Sequence, residues 1–311
     1  RDLRMSRGLG DVYKRQIQMQ SILYHNSYKD IERAVECIDN AIDVYQKENK
    51  KEIRCTISYG DASKERIFSD ADICNMKAKY THLKDIKYQF FNENTGTAKG
   101  HNKLAKDCME DYLMVANPDV LVTPRYFIEM LEMLEKPGVG LVEARQTPIE
   151  HPKKYDSKTF ETSWAATACV IFKNQVYTEV EGFDEETFFM YCDDVDFSWK
   201  IRLAGYKVLY CPRAVVYHAK RLSSGGAWQP TSAERYYSAE AAMLLAYKWS
   251  REDIADGICK DFMKTNDETL KKAARVYKDR KKNGKLPKQL DESHKVATFV
   301  NGNYAKHRFV M

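Results

Sequence analysis

Along the first half of the chain the apolar positions switch repeatedly between two spacings. Short runs rich in β-branched and aromatic residues predict strands over 17–24, 52–59, 86–91, 112–115 and 139–143. Between them apolar residues recur every three or four positions, as at Ile31, Val35, Ile38, Ile42 and Tyr45. That period predicts a helix over 28–48, with others over 67–83, 97–110 and 124–134. Strands that alternate with helices point to an α/β fold with a parallel sheet. In such sheets functional groups gather beyond the carboxyl ends of the strands.

The second half is less regular. A polar stretch with two prolines, 146–163, reads as a long ordered loop. A strand is expected over 165–172, a short helix over 174–179, and a helix from about Asp193 to Leu203. Two short strands follow over 207–210 and 214–217, then a Gly/Ser turn at 223–226. Helices are expected over 232–249 and 250–281, with a strongly basic run over 271–288. The expected organisation is an α/β domain over 17–225 and a helical C-terminal extension over 226–311. Residues 1–16 lack any period and are set aside as extraneous, with no expected role.

Composition narrows the classes. Hydrophobic residues make up 43% of 311 residues, enough for a sizeable core. No apolar run approaches the roughly 18–20 residues that a membrane span needs, and no secretory signal is visible. A net charge of +5 suits an anionic substrate or a membrane surface and argues against a dedicated nucleic-acid partner. The eight cysteines show no C-x-x-C pair. They read as reduced, mostly buried thiols of a cytoplasmic protein rather than a zinc site. In the extension, Tyr236, Ala239, Met243, Leu244 and Tyr247 form a stripe. It either packs on the domain or, with the basic run, meets the inner face of a membrane as a peripheral contact.

Three acidic clusters carry candidate chemistry. Asp61 follows a predicted strand in Gly60-Asp61-Ala62-Ser63. It reads either as a turn residue or as an acceptor for a base or ribose hydroxyl. Asn117-Pro118-Asp119 is a tight turn whose carboxylate suits Mg²⁺ or Mn²⁺, hard ions that prefer oxygen; a plain loop is the alternative. Asp193, Asp194 and Asp196 crowd the start of a helix, where they complement its dipole or serve a site. Asp193 and Asp196, three apart, share a face, while Asp194 points elsewhere. His218, at a strand end, is either structural or an imidazole ligand.

Taken in order, these blocks resemble the family-2 glycosyltransferases of the GT-A fold, in the rhamnosyltransferase- and galactofuranosyltransferase-like branch. The likeness runs from Ser21-Ile22-Leu23-Tyr24-His25-Asn26 through Gly60-Asp61, Asn92 to Asn102, Asn117-Pro118-Asp119 and Trp164 to Ile171. It is strongest over Gly182-Phe183-Asp184-Glu185, Phe188 to Asp196, Arg202-Leu203-Ala204-Gly205-Tyr206 and His218. The resemblance implies a mixed, mostly parallel sheet flanked by helices. It implies inverting transfer of a sugar from a UDP- or dTDP-sugar to a glycan or lipid-linked acceptor hydroxyl, with Mn²⁺ or Mg²⁺. Carried over by position, it implies that Asp194 is the general base and that Asp119 and His218 hold the metal. Tyr24, Asn26, Asp61, Asn94, Lys99, Asn117, Trp164 and Asp193 would line the nucleotide sugar. The first position of the metal motif, often acidic in relatives, is Asn117 here, and Asp193 replaces a glutamate. A nucleotidyltransferase would need a Gly-rich phosphate loop, and 24–30 is not one. A catalytically dead binding domain is the non-enzyme alternative.

Overall fold

The computed structural model describes residues 15–150, 154–219 and 230–305. β1 (Arg15–Leu23), β2 (Ile53–Asp61), β3 (Asp85–Phe90) and β4 (Tyr112–Ala116) alternate with α1 (Tyr28–Asn49), α2 (Asp70–Lys79) and α3 (Gly96–Ala105). β5 (Val120–Val122), α4 (Tyr126–Leu134), β6 (Val139–Thr147), β7 (Cys169–Lys173), α5 (Asn174–Glu179), α6 (Asp193–Leu203) and β8 (Lys207–His218) follow. α7 (Ser232–Lys248), α8 (Glu252–Lys264) and α9 (Glu268–Lys282) come last.

The strands form one sheet in the order β3-β2-β1-β4-β7-β6-β8-β5. β1 runs parallel to both β2 and β4, β2 to β3, and β6 to β8. β7 is antiparallel to both its neighbours, and β5 is antiparallel to β8. The sheet is therefore mixed and mostly parallel. One apolar layer packs β1, β2 and β4 on α1 and α4, with Ile31, Val35, Ile38 and Ile42 all buried. The opposite face packs Val115, Leu141, Val170 and Phe172 against Phe197 and Ile201 of α6.

Several expectations change. Arg15 and Gln16 belong to β1 and are not idle: the Arg15 guanidinium bonds Glu135 and the Tyr45 hydroxyl, and the Gln16 amide donates to Asp111. β5 is only three residues long, too short for a period to show. The two short strands expected after Lys207 are one, β8. Its register against β6 shifts opposite Ala144 and Arg145, next to Pro212, which has no N–H for the ladder. The strand expected over 165–172 is shorter and begins at Cys169. The helix expected over 250–281 is two, because the Asp267 side chain caps α9 by accepting from the amides of Thr269 and Leu270. The turn at 223–226 lies outside the described residues.

The extension is not a separate body. Trp164, Phe188, Cys192, Val195 and Trp199 share one core with Ala239, Met243, Leu244, Trp249, Ala273 and Tyr277. Trp199 and Trp249 meet edge to face at 5.3 Å. Three positions of the α7 stripe, Ala239, Met243 and Leu244, are thus consumed in packing. A boundary at 225/226 cuts through this core. A chain ending at residue 225 is expected to expose Trp199 and Val195, bind a hydrophobic dye such as ANS and lose its cooperative thermal transition. A sharp transition without dye binding in that truncated protein would show the two parts to be independent.

Candidate active site

The turn after β4 is closed by Val120 N–H donating to the Asn117 carbonyl (3.1 Å) and pinned by Asn117 N–H donating to Ala168 (2.9 Å). β5 then pairs with the end of β8, so that Val120 stands opposite His218. This register brings together two residues that are far apart in the chain. His218 Nε2 lies 3.4 Å from Asp119 Oδ1 and 3.4 Å from Asn117 Nδ2. On the other side of the ring, Nδ1 lies 2.8 Å from Gln146 Oε1. An amide oxygen accepts only, so Nδ1 carries a proton, and in the neutral ring Nε2 is the acceptor nitrogen that faces Asp119 and the Asn117 amide nitrogen.

That is the tautomer a metal-binding imidazole needs, and an outer hydrogen bond to Nδ1–H is its usual support. The carboxylate suits Mn²⁺ or Mg²⁺, and the added imidazole nitrogen suits the transition ion Mn²⁺ better than Mg²⁺, so these two residues would hold such a cation. Among the described residues no third His, Cys, Asp or Glu completes a cluster with them. Gln146 reads from sequence as part of a polar loop, either lining the donor sugar or acceptor or a solvated connector, and not as the partner of His218. Its position at the end of β6, beside β8, is the signal that a topology would have supplied.

α6 starts abruptly. Tyr191 (φ 69°) and Cys192 (φ 57°) are both left-handed, a conformation unfavourable for side chains with a Cβ and often retained at sites. The turn delivers three acids into the first helical turn. Asp196 is 0% exposed: Lys248 Nζ lies 2.8 Å from each of its oxygens, and Trp249 Nε1 donates to Oδ1 at 2.9 Å. Asp193 is also buried and accepts from Thr97 Oγ1 at 2.7 Å. Burial, reinforced by the charge of Asp194, pushes the Asp193 pKa up to about 7, while the Thr97 hydroxyl pulls the other way. Asp194 is half-buried, and its Oδ1 accepts from Val195 N–H at 2.8 Å. The expected division between one shared face and one separate acid is what α6 displays.

Other expected contacts are elsewhere. Asp61 is closed off, with 0% exposure: Oδ1 accepts from Ser63 N–H, and Oδ2 from Ile67 N–H and the Tyr88 hydroxyl. This fully buried carboxylate, with three donors, holds the 61–67 loop. Trp164 is 4% exposed and packs edge to face on Tyr304 at 5.1 Å, inside the core shared with the extension, not against a nucleotide sugar. Lys99 is ion-paired with Glu93, which also takes Lys103 at 3.1 Å. Asn94 is exposed and accepts from Gly96 N–H at 3.3 Å. Asn26 accepts from Tyr24 N–H at 2.8 Å, and the Tyr24 ring is half exposed. Thr97, which sequence reasoning passed over, ties these loops to α6: its N–H donates to Phe189 O at 3.1 Å. Gly96 (φ +65°) makes that approach possible, since a Cβ there would lie 2.1 Å from the same carbonyl.

A family model described as glycosyltransferase like family 2 matches residues 61–236. The chain belongs to that family. The N-acetylglucosaminyl-diphospho-decaprenol L-rhamnosyltransferase of Mycobacterium tuberculosis is 28% identical over 153 residues, 38% of this chain and 50% of that protein. The chain thus spans about half the length of that curated relative. Among solved structures, mannosyltransferase PcManGT of Pyrobaculum calidifontis, in complex with GDP-Man and Mn²⁺, has a TM-score of 0.57 at 16% identity. That match covers 88% of this chain and 77% of the other. GalNAc-T7 with UDP, GalNAc and Mn²⁺ has a TM-score of 0.62 at 11% identity, over 88% and 55%. The fold of this glycosyltransferase family member is GT-A.

Two buried groups set opposite pH slopes on its stability. Burial pushes the His101 pKa down to about 3, and the neutral ring's Nδ1 sits 3.2 Å from the Gln20 side-chain amide, whose nitrogen is the donor that suits it. The unfolded chain protonates His101 near 6.5, so that contribution is complete above pH 6.5 and is lost as pH falls towards 3. Asp193 is the reverse: its folded pKa lies above the unfolded value, so stability is complete below about 4 and is lost as pH rises through 7. Asp193→Asn should therefore gain stability on the wild type between pH 5 and pH 8, by roughly 2 kcal/mol. Urea midpoints at the two pH values read this directly; an equal offset at both would contradict it.

Proposed function

We propose that this protein is an inverting glycosyltransferase that moves a sugar from a nucleoside diphosphate donor to a glycan or lipid-linked acceptor hydroxyl, with a divalent cation. The carrying observation is the His218–Asp119 pair, with Nε2 at 3.4 Å from Oδ1 and Nδ1 held by Gln146. An imidazole lone pair beside a carboxylate, at the carboxyl ends of parallel strands, suits a cation that neutralises diphosphate charge. The two solved structures of similar fold, one holding GDP-Man and Mn²⁺ and the other UDP, GalNAc and Mn²⁺, support the same reading.

Asp194 is the general base of this proposal. It is the one acid of the first α6 turn that is neither 0% exposed nor sealed against Thr97. It accepts the proton of the acceptor hydroxyl as that oxygen attacks the anomeric carbon. Single displacement needs no carboxylate nucleophile, which a retaining double displacement would require. Asp119 and His218 would hold the cation, which when bound would supply charge stabilisation for the departing diphosphate. The rhamnosyl transfer named for the mycobacterial relative favours a deoxyhexose among donors and a lipid diphosphate-linked sugar among acceptors.

Thermal shift with UDP-galactose, dTDP-rhamnose and GDP-mannose, each with and without Mn²⁺, selects the donor. Stabilisation by one of them that requires the cation is the expected outcome, and its loss in Asp119→Ala completes the test. A donor effect equal in the presence of EDTA would remove the metal from the scheme. Asp194→Asn should lower turnover by about 10²–10⁴-fold with little change in that donor shift. Near-normal turnover in this variant would take Asp194 out of the role.

A further inference from the structure

Lys248 and Trp249 stand at the end of α7, in the C-terminal extension, yet their polar atoms reach into the catalytic part. Lys248 Nζ bonds both oxygens of Asp196 and, at 2.7 Å, Asp184 Oδ2 before α6. It sits over the Phe188 ring at 5.6 Å and is 5% exposed. Trp249 Nε1–H takes Asp196 Oδ1, and its ring meets Trp199 of α6. Asp184 is fixed in turn by Thr187 N–H on Oδ1 at 3.0 Å. One buried cation and one indole N–H therefore hold the segment before α6 and the first turn of α6 together.

Asp196 and Asp194 lie on the same helical turn, two residues apart. At about 100° per residue they differ by roughly 200° around the axis. Fixing Asp196 inward turns Asp194 outward. Asp193, about 60° from Asp196, is carried to the buried side, where it finds Thr97. We infer that the Lys248–Trp249–Asp196 clamp sets the rotational phase of α6, and that Lys248 and Trp249 are positioning residues for Asp194. The extension then acts in catalysis without touching the reacting atoms. This inference rests on the proposed role of Asp194.

The test uses the full chain and two mild variants. Trp249→Phe removes the indole N–H while keeping an aromatic ring on Trp199. Asp184→Asn keeps the Thr187 contact and weakens one arm of the Lys248 bridge. Turnover and KM are measured from pH 5 to 9 with whichever of UDP-galactose, dTDP-rhamnose and GDP-mannose the wild type uses. Each variant should lower kcat by roughly 10- to 100-fold, the scale of a displaced catalytic group, with donor KM within about twofold. The acidic limb of the kcat profile should move as well. Aspartate ¹³Cγ titration supplies a reading that needs no donor: the carboxyl that titrates near pH 7 should change its midpoint in Trp249→Phe. If both variants merely melt earlier, with the kcat profile and the carboxyl midpoint unmoved, the clamp is only structural and the inference falls. Asp194→Asn is the separate control. Retained turnover there rejects the assigned base, whereas lost turnover beside unaffected clamp variants rejects only the positioning role.

Discussion

The hydrogen bond between His218 Nδ1 and Gln146 Oε1 decides what the centre of this protein can do. A neutral imidazole has one donor and one acceptor nitrogen, and the partner of the first sets the direction of the second. The amide oxygen of Gln146 fixes the proton on Nδ1, so the lone pair of Nε2 is aimed at Asp119. Three strands are needed for this. β6 brings Gln146, β8 brings His218, and the short β5 returns the chain from Asp119 antiparallel to β8. The pairing of β5 thus has a function far larger than its three residues suggest.

The second constraint is how charge is distributed around α6. Three carboxylates in one turn repel one another, and the helix dipole offsets only part of that cost, about 0.3–1 kcal/mol each. The fold separates them by environment. Asp196 is paired with the buried Lys248; removing one partner of a buried ion pair typically costs about 3–5 kcal/mol. Asp193 is buried with a hydroxyl as partner and holds its proton up to about pH 7. Asp194 remains the half-buried member. A protonated neighbour near neutral pH removes one source of repulsion within the turn, in keeping with the base role proposed for Asp194.

Much of this was legible in the chain. The period-two and period-3.6 runs gave β1 to β4 and α1 to α4 within a few residues, because each strand is bounded by turn residues. The joining of Asp119 to His218 was legible only through the ordered motifs, since no local pattern reports that β5 pairs with β8. Gln146 and Thr97 were not legible at all. An ordinary glutamine after a strand and a threonine at a helix start become informative only when the sheet order puts them beside His218 and Asp193. Trp164 misled for a physical reason: tryptophan suits a ligand wall and a core equally, and the partner that buries it, Tyr304, lies far along the chain. Arg15 and Gln16 misled because a strand edge held by ion pairs carries no hydrophobic period.

Asp61 bears on how the donor end is built. Its oxygens are satisfied by two backbone amides and a tyrosine hydroxyl, so presenting it to a base would break bonds in a fully buried site. Leaving such buried donors unmade costs about 1–3 kcal/mol each. The same carboxylate therefore shapes the loop after β2. The loop it shapes is in turn tied to the end of β1: Ser63 Oγ accepts from His25 N–H at 2.9 Å, and Ala62 N–H donates to Leu23 at 2.9 Å. These bonds fix the stretch that carries Tyr24 and Asn26 beside the end of β2. Of the acids at strand ends, one has become architecture and another, Asp119, keeps its carboxylate beside the His218 Nε2 and the Asn117 amide. That contrast is the physical reason why the proposed cation is assigned to the turn between β4 and β5 and not to the loop after β2, while Tyr24 stays half exposed and Asn94 exposed.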